Sequence, residues 1–306
     1  MAEVYAALAP VFILIALGWI ARNRRVIALD GFAAVNRFGY FILYPAFLFT
    51  IVTGADFASR DAGLFVLAVL CGFAIMTALA FATRIFFRAD GPAFTSVFQG
   101  ALRWNGFPLL AAATALYGPV GLELIGIVFG PLVFVVNVVS VFVLARWGAN
   151  RAANWRAVLA QIIANPLVLA CAAGLLAQAI GITHFGPFSD ALRLLGQAAM
   201  PVALITVGAG LDLAALRADG TKVATAAALK LLVAPCTLWV SALWLGLSPA
   251  ATAVAVGIGA TPTAAAGYAL AREMGGDARL MAAIITATTI LSFVTMPLAI
   301  SLAMSP

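Results

Sequence analysis

An all-α polytopic membrane protein is the fold class this sequence predicts: ten transmembrane helices arranged as two inverted five-helix repeats, with broken crossing helices four and nine. Three observations predict it. Of the 306 residues, 65% are hydrophobic and only 9% charged, which is more apolar surface than one soluble globule could hide. Apolar runs of the length that crosses a hydrocarbon core, about 20 residues, recur ten times. The sequence also aligns on itself at a fixed shift.

The runs are 4–21, 33–54, 62–83, 93–117 and 121–145, then 157–182, 191–211, 223–247, 249–271 and 280–304. Barrel strands would be shorter and would alternate in polarity. The first run carries Glu3 and no basic segment ahead of it, and Arg22, Arg24 and Arg25 follow it. It therefore reads as a first span rather than a cleaved signal. The net charge of +6 is a matter of loops: Arg22, Arg24, Arg25, Arg84, Arg88, Arg146, Arg151, Arg156, Arg217, Lys222, Arg272 and Arg279 fall in or beside alternate loops. Arg60 lies in a loop on the other side. Cations gather on the cytoplasmic side, so both termini are expected outside the cytoplasm, and no nucleic-acid partner is implied. Cys71, Cys171 and Cys236 each fall inside a span without metal-ligand or CxxC spacing, and read as small buried packing residues.

The self-alignment lays PAFLFTIVTGADFA, from Pro45, over PVALITVGAGLDLA, from Pro201, without a gap. At the same shift Pro10 meets Pro166, Gly18 meets Gly174, Arg37 meets Arg193 and Asp56 meets Asp212. Identities at proline, glycine, arginine and aspartate are not produced by apolar composition alone. The repeats divide the chain into 1–148 and 149–306, five spans each, and an odd number makes the second copy enter the membrane from the opposite face. Inverted repeats with interrupted helices are an architecture of secondary transporters, whose sites lie near the midplane where the copies meet.

The fourth run contains RWNGFP, and the shift carries Asn105-Gly106 onto Thr261-Pro262 in the ninth. Proline removes a backbone donor and clashes with the preceding turn, and glycine weakens a helix, so each run is expected to split into two half-helices. Asn105 and Thr261 are N-cap types, and Pro108 and Pro262 suit the first turn of the half-helix that follows. Irregular backbone at this depth needs protein or a wet cavity around it. Half-helix N-termini present free amides and about half a positive charge, which favours an anion. Arg103 lies about ten residues into its run, roughly 15 Å deep. A cation there costs about 2.5–3.5 kcal/mol even on the lenient insertion scale, and a carboxylate could use it; a structural cation satisfied by backbone carbonyls is the alternative.

Other polar residues add detail. Asn137 and Ser140, three apart, share a helix face that could look toward the crossing, and Thr288, Ser292 and Thr295 share another. Hydroxyls of this kind also glue membrane helices together. Lys230 either snorkels its amine to the interface or supplies a charge on the substrate side. Arg37 and Arg193 read as anchoring or dimer contacts, and Asp56 and Asp212 as helix-end contacts. None of the eleven acidic residues falls near a predicted midplane, which argues against a carboxylate-based proton or cation antiporter. The single histidine, His184, sits in a loop, and no serine/histidine, paired-aspartate or metal constellation is present, so an enzyme is not expected.

On these residues the chain resembles the auxin efflux carrier family of transporters and bacterial permeases. The resemblance runs through PVFILIALGWIARNRRVI, FGYFILYPAFLFTIVTGADF, QGALRWNGFPLLAAATALYGPVGLELIGI, NPLVLACAAGLL and ATPTAAAGYALAREMGGDARLMAAIITATTILSFVTMPL. It implies the ten-helix inverted-repeat fold, shared in outline with bile-acid/sodium symporters. It also implies a scaffold of spans 1, 2, 6 and 7 supporting a homodimer, and a transport unit of spans 3–5 and 8–10 that moves as an elevator. Asn105 occupies the family's crossover asparagine position, while Trp104 and the early Pro108 depart from its commoner pattern. The implied setting is a bacterial-type inner membrane.

Together these readings predict a secondary transporter for a small organic anion, a carboxylate such as malate or malonate. Its substrate-binding residues would be Arg103, Asn105, Gly106, Pro108, Asn137, Thr261, Pro262 and Thr263, with Lys230 as an accessory charge. No cofactor or metal is expected, and the coupling ion, proton or sodium, is left open. The alternatives are a sodium-coupled, bile-acid-like organic acid symporter and a gated anion channel.

Overall fold

Proline and glycine punctuate this chain, and in the computed structural model its helices break where several of them fall. The structure describes residues 1–55, 60–86, 90–149, 164–182, 184–217 and 219–304, and every regular element among them is helical. The first half supplies α1 (Ala2–Asn23), α2 (Leu29–Phe38), α3 (Tyr44–Gly54), α4 (Arg60–Ala82), α5 (Gly91–Leu102) and α6 (Gly106–Trp147). The second supplies α7 (Pro166–Ala179), α8 (Pro187–Ala209), α9 (Gly220–Ala228), α10 (Ala234–Trp244), α11 (Pro249–Ala260), α12 (Ala266–Met274) and α13 (Ala278–Met304).

Two π-helical turns, Gly39–Leu43 and Leu229–Val233, join α2 to α3 and α9 to α10. Each runs directly into a helix whose second residue is proline, Pro45 or Pro235. Proline has no N–H to give and its ring crowds the carbonyl four residues back, so the turn ahead of it widens.

Among the described residues, seven helical stretches are long and apolar enough to cross a membrane, and Pro166–Ala179 and Pro249–Ala260 are shorter apolar helices. One of the seven, Gly91–Trp147, has 57 residues. As one straight helix it would run roughly 85 Å, nearly three times the hydrocarbon core. It is interrupted between Leu102 and Gly106, and again at Gly118, whose φ of 59° and ψ of −136° belong to glycine alone. Of the predicted features, 157–163, Asp56, Arg88, Arg151 and Arg156 lie outside the described residues.

α8 packs on α1 and α3, and α7 on α3; α4, α9, α12 and α13 pack with α5, α10 packs on α4 and α11, α11 packs on α13, and α6 touches members of both sets. Glycines set the closest approaches. A Cβ on Gly18 of α1 would meet the Ile205 carbonyl of α8, and one on Gly208 would meet the Ile15 carbonyl in return. A Cβ on Gly174 of α7 would meet Val52, with the Phe49 carbonyl of α3 3.3 Å away. Gly18 and Gly174, like Phe49 and Ile205, are related by the sequence repeat. Small residues that let backbones approach are how membrane helices gain dispersion contact. The largest buried apolar cluster draws on both halves, with Leu8, Phe65, Phe98 and Leu109 beside Leu204, Leu238 and Ile258.

Polar ties gather at one end of the molecule. Lys222 Nζ donates to Asp90 at 2.8 Å, Ser96 Oγ donates to the Asp277 carbonyl at 2.8 Å, and Ala149 N donates to the Gly275 carbonyl at 2.7 Å. Arg22 donates to the carbonyls of Ala209 and Leu211, both at 2.8 Å. The expectation of three buried cysteines needs correction: Cys171 is buried and Cys71 half-buried, but Cys236 is exposed on the outer face of α10, where an apolar thiol needs no protein neighbour if lipid covers it.

Candidate functional site

Where α5 stops, Arg103 turns to extended backbone (φ −67°, ψ 132°), and the chain resumes as α6 with Asn105 as N-cap. Asn105 Oδ1 accepts from Phe107 N at 3.3 Å, taking one of the donors a helix start leaves free. Pro108, third in α6, has no donor to leave unmet. A Cβ on Gly106 would run into the Phe129 ring, so the glycine lets the aromatic layer close over the break. Trp104 is buried and its ring tilts against Phe129 at 5.0 Å.

In the second half α11 stops at Ala260, and the next helix begins only at Ala266. Thr261 is not an N-cap: it ends α11, and its hydroxyl donates back to the Ile258 carbonyl at 2.8 Å. Pro262 is likewise not in a first helical turn. The delay has a cause in tertiary bonding. Thr263 N donates to Thr288 Oγ1 at 3.2 Å, and Thr263 Oγ1 donates to the Gly100 carbonyl at 2.6 Å. These bonds hold the stretch extended, and α12 starts after them, from Ala265, whose side chain offers no cap.

The two breaks meet. Asn105 N donates to the Pro262 carbonyl at 3.0 Å, so unpaired backbone in one half satisfies unpaired backbone in the other, which is what membrane depth requires. The carbonyls at the ends of α5 and α11 are met from several sides: Gln99 O and Gly257 O by Arg103 N and Thr261 N of their own segments, Gly100 O by Thr263 across the crossing, and Gly259 O by Lys230 Nζ at 3.0 Å.

Arg103 is 5% exposed. Its Nε donates to Gln99 Oε1 at 3.0 Å and its Nη2 to Asn137 Oδ1 at 3.1 Å. Both partners are neutral amides, and among the described residues no carboxylate pairs with this guanidinium. Gln99, whose oxygen is engaged, keeps a buried Nε2 without a partner, and Ser140 Oγ is buried and unpartnered as well. Gly267 of α12 packs against the Arg103 side chain, where a Cβ would lie 3.1 Å from Cδ. Tyr40, in the π turn ahead of α3, lies close to Arg103. A guanidinium with free N–H groups beside an unused amide donor has the donor geometry that suits a planar oxyanion.

Residues 151–300 match a family model described as a membrane transport protein, the family of the auxin efflux carriers. The match covers 150 of the 306 residues. The comparison with curated proteins finds no match. The matched segment holds Thr261, Pro262, Thr263 and Lys230, whereas Arg103, Asn105, Gly106, Pro108 and Asn137 lie ahead of it.

The structure brings all eight predicted site residues into or beside one crossing, with Asn137 joined to it through Arg103. Lys230 does not snorkel: it is 0% exposed and turned inward onto Gly259. Of the three hydroxyls on α13, Thr288 reaches the crossing, Ser292 bonds its own helix at Thr289, and Thr295 is half-buried and bonds Leu291. Arg193 pairs with Asp190 at an exposed position, and the Arg37 guanidinium lies over Phe41. Asp212 accepts from the N–H groups of Ala214 and Ala215, turning the chain after α8. Gln99 and Tyr40 were missed. Gln99 could have been found, since it lies four residues before Arg103 and so faces it on the same helix.

Proposed function

We propose that this membrane transport protein is a secondary transporter of a small organic anion, a carboxylate or dicarboxylate of the size of malate or malonate. The observation that carries the reading is Arg103: a buried guanidinium with amide partners only, next to the orphaned Gln99 Nε2. Leaving a cation uncompensated in a membrane interior is unfavourable, and an anionic substrate would relieve it each time it bound. Gln99, Asn137 and the crossing of Asn105, Gly106 and Pro108 with Thr261, Pro262 and Thr263 would frame the carboxylate.

The fold supports ten crossings in this reading. Gly118 separates two within Gly91–Trp147, Pro166–Ala179 supplies one, and α11 with α12 form another broken helix. The repeat-related packing of Gly18 on Ile205 and Gly174 on the Phe49 segment supports the inverted pseudo-symmetry. The packing of α8 on α1 and α3, and of α7 on α3, supports a scaffold against which the remaining helices slide as an elevator. A homodimer through that scaffold, a bacterial-type inner membrane, and termini outside the cytoplasm complete the proposal.

The test is counterflow of labelled malate or malonate in proteoliposomes. A carrier gives saturable counterflow, and Arg103→Ala lowers substrate affinity by at least about 30-fold, the loss of a charge-assisted pair of about 2 kcal/mol or more. Unitary currents that do not saturate would instead identify a gated anion channel. If Arg103→Ala and Asn105→Ala bind and move the acid as wild type does, the proposed site is wrong.

A further inference from the structure

Lys230 is, with Arg103, one of two buried cations among the described residues, and the anion site does not account for it. Its side chain is fully buried, it donates from Nζ to the Gly259 carbonyl at 3.0 Å, and no carboxylate pairs with it among the described residues. Gly259 stands in the last turn of α11, where carbonyls lack helical partners and the helix dipole leaves about half a negative charge. In transporters with broken helices, such carbonyl ends are where a coupling cation is held.

The placement is built by packing rather than by chance proximity of a long side chain. A Cβ on Gly259 would lie 2.7 Å from both the N and Cα of Pro235, so only glycine lets α11 approach the start of α10 this closely. The π turn Leu229–Val233 holds Lys230 directly ahead of that proline. π turns inside helices are frequently functional.

The sequence repeat sharpens the point. The residue repeat-related to Gly259 is Arg103, and the residue repeat-related to Lys230 is Ala74. In the first half the cation at the end of the half-helix belongs to the broken segment itself. In the second half that position is glycine, and a neighbouring helix supplies the charge.

We infer that the Lys230 ammonium is a tethered cation occupying the C-terminal end of α11, in the place a free monovalent cation would otherwise take, so that the carrier works without sodium. A second cation at the same carbonyl would meet direct charge repulsion. The transport consequence rests on the carrier reading; the occupancy itself does not.

Thermal unfolding of the purified protein in sodium chloride and in choline chloride at equal ionic strength tests the occupancy without any substrate. The wild-type midpoint is expected to be the same in both salts. Lys230→Ala is expected to unfold earlier in choline and to recover along a saturable curve when sodium or methylammonium is added. Lys230→Met, which keeps the length of the side chain, serves if the alanine variant does not fold, and is expected to show the same rescue. A sodium-specific rise in the wild-type midpoint overturns the inference, as does a variant that neither cation rescues. In proteoliposomes, wild-type malate counterflow in choline alone is expected to equal that in sodium. Absence of counterflow in both salts, with the unfolding results as expected, would remove the carrier reading and leave the tethered cation standing.

Discussion

Asn105 and Pro262 share one hydrogen bond, from the Asn105 N–H to the Pro262 carbonyl at 3.0 Å, and through it each half of the chain completes the broken helix of the other. The Asn105 side chain meanwhile caps α6. Asn105→Ala keeps the backbone bond and loses the cap, which is expected to cost about 0.5–2 kcal/mol of stability. Thermal unfolding without ligand reads that loss, and malate counterflow reads the added loss at the site.

Gln99→Glu separates a binding role for Arg103 from a structural one. A carboxylate four residues before the guanidinium supplies the counter-anion that the described residues lack. The unliganded variant is expected to be at least as stable as the wild type, and its affinity for the acid is expected to fall, because the internal carboxylate competes with the substrate for Arg103. The two readouts move in opposite directions; a parallel fall in both would contradict an anion site.

The tie between Asp90 and Lys222 gives a pH dependence. Burial acts to raise the Asp90 carboxyl, but the hydrogen bond from Lys222, the Ala93 N–H and the Lys222 charge outweigh it and hold the group below its ordinary value of 3.8. A carboxyl lowered on folding contributes stability that is fully present above that ordinary value and is lost as pH falls through the lowered one. Midpoints measured from neutral pH down toward pH 3 should therefore drop less steeply for Asp90→Asn than for the wild type. The two curves should differ by a constant offset above about pH 5.

Glycine substitutions on the two kinds of helix surface should differ in sign. Gly18→Ala and Gly208→Ala force a methyl into a facing backbone carbonyl, and are expected to destabilise by about 1–3 kcal/mol. Gly63, inside α4, has nothing within 4 Å of its absent Cβ. Gly63→Ala should stabilise by roughly 0.5–1 kcal/mol through helix propensity alone. Detergent-solubilised thermal unfolding of the three variants distinguishes them.

The break at Arg103-Trp104-Asn105 was legible because Asn105, Gly106 and Pro108 act locally: capping, weakening and removal of a donor need no knowledge of the other half. The second break was legible only in position. Its helix restarts late because Thr263 bonds to Thr288 and Gly100, partners 25 and 163 residues away along the chain, and no local propensity encodes them. Lys230 was left between two readings, a snorkelling amine and an inward charge. Only the close packing of α11 on the start of α10, which brings the Gly259 carbonyl to its Nζ, decides for the inward one. Tyr40 was invisible to local reading, since it approaches Arg103 from the π turn between α2 and α3, more than sixty residues earlier in the chain.

Trp104 directly follows Arg103, the arginine proposed to bind the anion, and is packed on Phe129 rather than in water. That position makes it a fluorophore native to the crossing. With Trp19, Trp147, Trp155, Trp239 and Trp244 replaced by phenylalanine, its emission would report the local field and packing each time an acid enters or leaves, in real time and without a label.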